Sequence, residues 1–485
     1  MFSRLIANSS DVQSLSDFIG NNKVLIEDFV NSDISAQRQQ LDLFEQFVLL
    51  GGRIQMLDSL DFSKSQNRAF ISFLFDYAER VNSTSVIIQL FQIIQRHSLD
   101  IGSRLEAAML YLYNVPNVQT FVDRFEEICS KLQIAVDEEE DNDNKAIATF
   151  LNYYSSVVYN YDIQFAQAIQ TKAQSFKDNY PFLQNSVVKD SVSLDINQAD
   201  KVYTTIQSSI DTLLGKRRHV SVRKISGFII EQDSHYSELL SNSPCSFNAI
   251  RQIAIDELES INDKDEVYRS LHRGVAILDR EEQLFHYLKS YGLMHRAKLL
   301  NAFSHFSFDE LVNNRIEVFD WSCGQGLASI ILLEYLSDHK LSLSIEEINL
   351  IEPSEIALKR ASLHVRHFNT DVSINTLLKD MDSLSREDIH SSRDCVKLHL
   401  LSNILDVEQF SMRHFIDLMH EAFEGINYFV CVSPYINDVK TARIDSFIYS
   451  FMQNESYELL FEDEARKGEW KNGWTKVIRV AKAVL

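Results

Sequence analysis

Cysteine is scarce in this chain of 485 residues. The five that occur are Cys129, Cys245, Cys323, Cys395 and Cys431, and no two of them form a CxxC pair. An odd number of widely separated cysteines indicates neither a disulfide framework nor a zinc knuckle. We therefore expect reduced, mostly buried thiols and no metal site.

Long apolar runs are also missing. No uninterrupted run approaches the roughly 20 residues that span a bilayer, and no charged segment followed by an apolar core stands at the N-terminus. These absences predict a soluble, cytoplasmic enzyme or adaptor with no membrane partner. The length predicts two or three domains.

Positive charge is in deficit, because the formal net charge is -22. Affinity for a phosphate backbone comes largely from lysine and arginine, so free duplex nucleic acid is an unfavourable partner. A local basic cluster at residues 216–219 is more typical of a solvated helix end or turn than of an anion site.

Helical periodicity dominates the first part of the chain. Up to about residue 135, apolar side chains recur at helical spacing, as in the stripe of Leu41, Phe44, Phe47 and Val48. Such stripes are typical of helix-packing core. We predict a helical domain over residues 1–135, either a bundle or an irregular α-solenoid.

An acidic run at residues 137–143 lacks apolar anchors, so residues 136–145 are predicted to form an exposed linker or loop. Residues 146–281 continue mainly helical. One interruption, at residues 220–230, is rich in β-branched side chains and predicts a hairpin or a short strand pair.

The pattern changes at residue 282 to alternating helices and short apolar runs, which is typical of an α/β sheet with crossover helices. Seven strands are predicted, at residues 318–320, 348–352, 373–377, 397–402, 428–433, 457–461 and 475–480. The fold class is therefore multidomain, with a large all-α N-terminal region followed by an α/β domain over residues 282–485.

The first of these strands runs into an acidic residue, Asp320, and a turn that contains Gly324 and Gly326. Glycine lets the backbone turn tightly and lets a ligand approach closely, and the following helix offers free N–H groups. Glu352 ends the next strand, where a carboxylate can accept both hydroxyl groups of a ribose. An adenosyl ligand is the leading hypothesis.

In the order of these parts, residues 282–485 resemble the class I S-adenosylmethionine-dependent methyltransferases, which have a Rossmann-like sheet. The resemblance implies S-adenosyl-L-methionine as cofactor. It assigns cofactor-binding positions at the ends of the first four strands, namely Asp320, Trp321, Ser322, Cys323, Gly324, Gln325, Gly326, Glu352, Pro353, Asp380, Met381 and Ser402. Asp382 competes with Asp380 for the place near the adenine.

The segment before the first strand resembles the helical lid that many family members fold over the cofactor. Its polar face offers Tyr291, His295 and Lys298 for the methionine carboxylate. Each of the three is as typical of an ordinary surface or interhelix position.

Two departures from the family pattern bear on the acceptor. Ser322 replaces the first loop glycine, and no Asn/Asp-Pro-Pro-Tyr/Phe tetrad follows the fourth strand. In its place stands a segment that contains Asn403 and Asp406, while Tyr435 follows the fifth strand. These three are the candidate catalytic residues.

Methyl transfer needs a base only if the nucleophile carries a proton of high pKa. Asp406, or with less support His399, is the candidate for that role, and for both a structural role is the more common alternative. Cys323 lies within the loop, but no base near it in sequence marks it as a nucleophile.

Two other functions compete. A nicotinamide dehydrogenase fits less well, because Ser329 stands where its third loop glycine belongs. A methyltransferase-like scaffold without turnover is the stronger rival, since a fold does not establish an activity. The large helical region favours a methyltransferase whose macromolecular substrate, a protein rather than naked nucleic acid, is recruited by that region.

Overall fold

The chain folds into two compact units. One comprises Met1–Arg218 with Asn437–Ala442, and the other comprises His219–Ile436 with Arg443–Leu485. The computed structural model describes all residues except 50, 82, 114, 116, 140–142, 162, 216–227 and 455. The predicted basic cluster at 216–219 and most of the predicted strand pair at 220–230 lie outside the described residues, so both stay predictions.

Residues 1–215 fold into amphipathic helices, as their periodicity predicts. In the described part of this region the α-helices are α1 (Phe2–Asn8), α2 (Val12–Asn21), α3 (Lys23–Val30), α4 (Ile34–Arg38), α5 (Leu41–Leu49), α6 (Arg53–Asp58), α7 (Ser65–Arg80), α8 (Thr84–His97), α9 (Ser103–Leu112), α10 (Gln119–Asp123), α11 (Phe125–Ile134), α12 (Asn144–Asn160), α13 (Ile163–Ser175), α14 (Ser186–Val192) and α15 (Ala199–Leu214). The predicted all-α N-terminal region is confirmed.

The acidic segment at 136–145 does not separate two cores. Ala135–Glu139 forms a π-helical turn, and Leu132 before it packs in the same hydrophobic cluster as Ala146 after it. The carboxylate of Glu139 accepts a hydrogen bond from the backbone N–H of Ser103, at 2.7 Å from Oε2. It thereby satisfies an N–H at the start of α9 that has no partner within the helix.

Residues 228–485 form a seven-stranded sheet with helices. The strands are β1 (Arg315–Trp321), β2 (Ser344–Ile351), β3 (Ser373–Leu377), β4 (Val396–Ser402), β5 (Ile426–Ser433), β6 (Glu458–Ala465) and β7 (Lys476–Val484). The α-helices are α16 (His235–Ser241), α17 (Phe247–Glu259), α18 (Lys264–Arg269), α19 (Glu281–Phe303), α20 (Leu327–Asp338), α21 (Glu355–Phe368), α22 (Met412–Ala422) and α23 (Asp438–Tyr449). All seven predicted strands are present.

The strand order is β3-β2-β1-β4-β5-β7-β6. Strands β1 to β5 are parallel, and β7 runs antiparallel between β5 and β6. Parallel strands joined by helices bring all their carboxyl ends to one edge of the sheet. The ends of β1, β2, β4 and β5 therefore meet at that edge. No helix of the described residues is long and apolar enough to cross a membrane.

The core of this second unit begins before residue 282, where the sequence pattern placed its start. Tyr236 and Leu240 of α16 and Phe247 and Ile250 of α17 are buried in the same cluster as the sheet. Their helical spacing resembles that of the preceding helices, so periodicity alone could not assign them to the sheet.

A chain that begins at residue 282 should therefore fold less stably than one that begins at residue 228. The shorter chain lacks α16 and α17. Without their buried side chains, Tyr236, Leu240, Phe247 and Ile250, apolar surface of the sheet's core is exposed to water. At about 1.5–3 kcal/mol for each large side chain, this loss is of the order of the whole stability of a domain. Thermal unfolding followed by circular dichroism compares the two, and equal, cooperative transitions would contradict the assignment.

Candidate functional site

The loop after β1 contains three residues with left-handed backbone conformation. The φ angles are +48° at Ser322, +53° at Gly324 and +73° at Gly326. A Cβ on Gly326 would lie 3.1 Å from the Cβ of Ala361 in α21, whereas no protein atom lies within 4 Å of a Cβ on Gly324. Gly326 thus allows close packing of α20 on α21, and Gly324 faces open space.

Asp320 lies at the carboxyl end of β1 and is only 1 % exposed. Its Oδ2 accepts hydrogen bonds from the backbone N–H of Ser329 (3.1 Å) and from the Ser329 hydroxyl (2.7 Å). Burial raises the pKa of the Asp320 carboxyl to about 7, although the two hydrogen bonds act in the opposite direction. Ser329 occupies the position at which a dinucleotide-binding loop would have glycine, and here its side chain holds the acid.

Glu352 follows β2 and is also buried. Its Oε2 accepts a hydrogen bond from the backbone N–H of Gly324 (2.9 Å), and its Oε1 accepts one from the backbone N–H of Ser354 (3.0 Å). Burial raises the pKa of the Glu352 carboxyl to about 7 against the effect of both bonds. The structure thus joins the loop after β1 to the acid after β2 by a direct hydrogen bond.

Asp320 and Glu352 have no lysine or arginine partner among the described residues, and the charge of Glu352 further raises the pKa of Asp320. Two buried carboxyl groups without a cation favour a ligand that brings hydrogen-bond donors or positive charge. In the described part of the chain, His, Cys, Asp and Glu side chains form no group of three able to hold a metal ion.

Gln325, between the two glycines, is held by elements that lie on either side of the loop in sequence. Its Nε2 donates to the carbonyl of Leu284 in α19 (2.9 Å), which leaves Oε1 as a buried acceptor without a partner. Its own carbonyl accepts from Nδ1 of His364 (2.8 Å), whose Nε2 accepts from the hydroxyl of Tyr236 (2.7 Å). Burial lowers the pKa of His364 to about 3, so the ring is neutral with its proton on Nδ1.

The side chain of Trp321 lies on the other face of the sheet from Asp320, because successive residues of a strand point to opposite faces. It is fully buried, its indole packs edge-on against Phe415 of α22, and Nε1 donates to Nδ1 of His399 (3.2 Å). The predicted cofactor contact at Trp321 therefore does not involve its side chain, which belongs to the core.

His399 is likewise a core residue rather than a base. Its Nδ1 accepts from Trp321 and its Nε2 donates to Oδ1 of Asn427 (3.0 Å), so both ring nitrogens are occupied. Burial lowers the pKa of His399 to about 3. A ring that is neutral and fully bonded cannot accept a proton from a substrate.

Cys323 is buried in the loop, and its backbone N–H donates to the carbonyl of Ile351 (2.9 Å). Burial raises the pKa of its thiol well above the usual range, with Asp320 and Glu352 acting in the same direction. The thiolate that a nucleophile requires is therefore disfavoured. The backbone of Cys323 instead connects the loop after β1 to the end of β2 by its hydrogen bond to Ile351.

The remaining predicted cofactor positions lie around the same sheet edge. Asp380 uses its carboxylate to accept from the backbone N–H groups of Asp382 (3.0 Å) and Ser383 (2.9 Å), which caps a short helical turn. Met381 is buried in that turn, and Pro353 is half-buried. Ser402 at the end of β4 has a buried hydroxyl without a partner among the described residues.

A second polar cluster gathers at the ends of β4 and β5. Asn403, at φ +57°, accepts from Nζ of Lys298 through Oδ1 and donates from Nδ2 to Nδ1 of His295 (2.7 Å). The hydroxyl of Ser433 donates to Oδ1 of Asp406 (2.8 Å). Lys298 and His295 thus contact the predicted acceptor side, whereas the sequence pattern had assigned them to the methionine carboxylate.

Tyr435 and Tyr291 each make ring contacts. Tyr435 is buried after β5, with the guanidinium of Arg466 over its ring at 4.9 Å from the centroid. Tyr291 packs edge-on against Tyr287, whose hydroxyl lies 3.4 Å from Nε2 of His295. The roles of Ser329, Ser433 and Tyr287 were not visible in sequence, because none of them belongs to a motif.

The site therefore combines a parallel sheet, a glycine loop that joins β1 to the acid after β2, and an antiparallel β7 inserted between β5 and β6. A second mononucleotide half, which a dinucleotide-binding domain would have, is replaced by this final pair of strands. The fold is that of a class I methyltransferase.

Comparison with solved structures finds distant likenesses to methyltransferases. A candidate class I S-adenosylmethionine-dependent methyltransferase from Listeria monocytogenes is similar at 12% identity and TM-score 0.30, over 70% of this chain and 88% of that protein. The plantazolicin methyltransferase BpumL, solved with S-adenosylhomocysteine, is similar at 14% identity and TM-score 0.29, over 48% of this chain and 99% of BpumL. A second structure of BpumL, with a monoazolic desmethylplantazolicin analogue and S-adenosylhomocysteine, is similar at 14% identity and TM-score 0.30, over 49% of this chain and 100% of BpumL.

No protein-family model matches the chain, and no curated protein matches it by sequence. The TM-scores are low, so the assignment of the methyltransferase fold rests on the strand order and on the loop after β1.

Alanine at the two loop glycines should separate folding from ligand binding. Gly326→Ala forces a Cβ against Ala361 at a left-handed position and should lower the free energy of unfolding by about 1–3 kcal/mol or more. Gly324→Ala has a similar backbone cost, but its Cβ enters open space, so this variant should unfold at a higher free energy than Gly326→Ala. It should bind the ligand more weakly than wild type, because the Cβ enters the space that the ligand approaches. Thermal unfolding and calorimetric titration with S-adenosylhomocysteine measure both, and equal effects of the two changes would contradict the assignment.

The carboxyl groups of Asp320 and Glu352 should contribute less to the stability of the unliganded chain as the pH rises from about 4 to about 7. Both have a pKa of about 7 when folded, above their unfolded values, so over this range these two groups hold more protons in the folded state than in the unfolded state. Each group can change the unfolding equilibrium by up to about tenfold per pH unit. Relative to wild type, the melting temperature of Glu352→Gln should therefore rise as the pH increases through this range, whereas Glu355→Gln, at an exposed neighbour, should keep a constant difference from wild type.

Proposed function

We propose that this chain is an S-adenosylmethionine-dependent methyltransferase that acts on a macromolecular acceptor. The observation that carries the proposal is the buried carboxylate of Glu352 at the end of β2, fastened to the backbone of Gly324. An acid at this place beside a glycine loop is suited to the two hydroxyl groups of a ribose. BpumL was solved with S-adenosylhomocysteine, which agrees with the choice of ligand.

The residues present fit this cofactor. Glu352 offers carboxylate acceptors, the backbone at Gly324 is open to close approach, and Oε1 of Gln325 is a buried acceptor that a ligand N–H can satisfy. Asp320 adds negative potential that suits a ligand of positive charge. When bound, S-adenosylmethionine supplies a methyl group on a positively charged sulfur, which is already activated for displacement.

The chain's own contribution is then positioning and the exclusion of water. The loop after β1 and the acid after β2 would hold the cofactor, and the cluster of Asn403, Asp406 and Tyr435 would face the acceptor. Ser433 orients the carboxylate of Asp406 by its hydrogen bond. Lys298 and His295 orient the side-chain amide of Asn403.

The acceptor in this proposal is a protein recruited by the helical residues 1–215. A small molecule does not require a recognition region of this size, and a net charge of -22 disfavours free duplex nucleic acid. Incubation of the purified chain with lysate proteins and methyl-labelled cofactor tests this step. Label found only in small molecules would contradict it.

Calorimetric titration with S-adenosylhomocysteine tests the cofactor site. Glu352→Gln should weaken binding by about tenfold to a hundredfold, because hydrogen bonds to an ionised group contribute about 1.5–3 kcal/mol each. Glu355→Gln is the matched control, since Glu355 is exposed and pairs with Lys359. Wild-type affinity should also rise with pH up to about 7, as Glu352 ionises. A folded wild-type chain that binds no ligand would overturn the proposal.

One observation favours a second function, a methyltransferase-like scaffold without turnover. Oδ1 and Nδ2 of the Asn403 amide are each engaged by a side chain of α19, so fewer of its hydrogen-bonding positions are left for an amine of a substrate. Binding of S-adenosylhomocysteine without methyl transfer to any lysate component would favour this scaffold. Transfer that depends on Asp406 would favour the enzyme.

A further inference from the structure

Lys298 is fully buried in α19, and it lacks the partners that a buried ammonium group needs. Its Nζ donates to Oδ1 of Asn403, and the described residues provide it with no second acceptor and no ion pair. An ammonium group carries three donors, and burial with one acceptor is costly. A neutral amine has one fewer donor and a free lone pair, so it fits this environment better.

The surroundings would stabilise the charge once a proton arrives. Asp406, in the segment after β4, lies near enough to favour the charged amine, and its carboxylate is oriented by Ser433 of β5. His295 of α19 is a second titratable group that interacts with Lys298, and Tyr287 of α19 interacts with both Asp406 and Glu352. Burial lowers the pKa of His295 well below its usual range and raises the pKa of Tyr287, so both are uncharged. The cluster therefore contains one amine and one carboxylate.

Burial and the carboxylate of Asp406 together leave the amine of Lys298 close to the balance between its neutral and protonated forms. Burial lowers the pKa of Lys298 to about 7, and the carboxylate of Asp406 acts in the opposite direction. A base is most efficient when its pKa lies close to the working pH. Through its contact with Asn403, Lys298 lies at the ends of β4 and β5. This is the edge of the sheet that also presents Glu352 and the loop after β1.

We propose that Lys298 is the proton acceptor of methyl transfer. The inference rests on the proposed function. As the bond between the acceptor's nucleophile and the methyl carbon forms, the electron pair of the carbon–sulfur bond stays on sulfur. The proton of the nucleophile passes to Nζ of Lys298, which becomes an ammonium group beside Asp406 and later returns the proton to solvent.

A base that serves this step must be neutral while positive sulfur is bound nearby. Binding of S-adenosylmethionine should therefore expel the proton from any Lys298 that still carries one, whereas S-adenosylhomocysteine, which lacks that charge, should not. If Lys298 instead stays protonated and serves only as a hydrogen-bond donor to Asn403, no such difference is expected. Calorimetric titration of both ligands in buffers of different ionisation enthalpy measures the protons released, and no acceptor substrate is needed.

At a pH of about 7, wild type should release up to about half a proton more with S-adenosylmethionine than with S-adenosylhomocysteine. Lys298→Met, which keeps the length of the side chain without its charge, should remove the part of this excess that belongs to Lys298. Lys289→Met is the matched control, because Lys289 is exposed on the same helix, and it should retain the wild-type excess. Thermal unfolding confirms that each variant is folded.

Lys298→Arg supplies an independent readout, because arginine cannot lose its proton. This variant should bind S-adenosylmethionine at least about tenfold more weakly relative to S-adenosylhomocysteine than wild type does, as expected for two like charges at close range. An equal release of protons for both ligands in wild type, or an excess that Lys298→Met retains in full, would overturn the inference alone. A folded wild type that binds neither ligand would overturn the proposed function, and this inference with it.

Discussion

The burial of the two carboxyl groups of Asp320 and Glu352 is the constraint on which the site depends. Removing a carboxylate from water is costly unless hydrogen bonds replace the lost hydration. Here the donors are the backbone N–H groups of Gly324, Ser329 and Ser354, with the hydroxyl of Ser329. The loop must adopt left-handed conformations to present Gly324, which explains its glycines.

The same constraint leaves the unliganded site incomplete. The hydrogen bonds lower the pKa of each acid, but burial dominates and keeps both near 7. Such carboxyl groups gain most from a ligand that brings hydroxyl donors and positive charge. The cluster around Lys298 shows the opposite case, in which burial disfavours the charged form of an amine and Asp406 favours it. The two clusters meet at one edge because β1, β2, β4 and β5 run in parallel.

Sequence patterns were sufficient where a local rule governs the structure. Apolar runs located all seven strands, and the glycines after Asp320 marked the turn, because only certain residues tolerate those conformations. Patterns were insufficient where a neighbour distant in sequence decides. Trp321 follows directly after Asp320, yet its indole donates a hydrogen bond to His399 of β4, 78 positions along the chain, and lies in the core. Likewise, no local pattern marks the hydrogen bond by which Glu139 accepts from the N–H of Ser103 at the start of α9.

The residues alone established an acidic chain with a helical first part, an α/β second part and an acid-bearing glycine loop, since composition, periodicity and turn chemistry are local properties. Only the tertiary structure decided that α16 and α17 belong to the sheet's core, that Gly324 binds the carboxylate of Glu352, and that Lys298 contacts Asn403. Each of these depends on contacts between segments far apart in the chain. Hydrophobic packing and strand order bring those segments together, and neither has a signature in any single stretch of sequence.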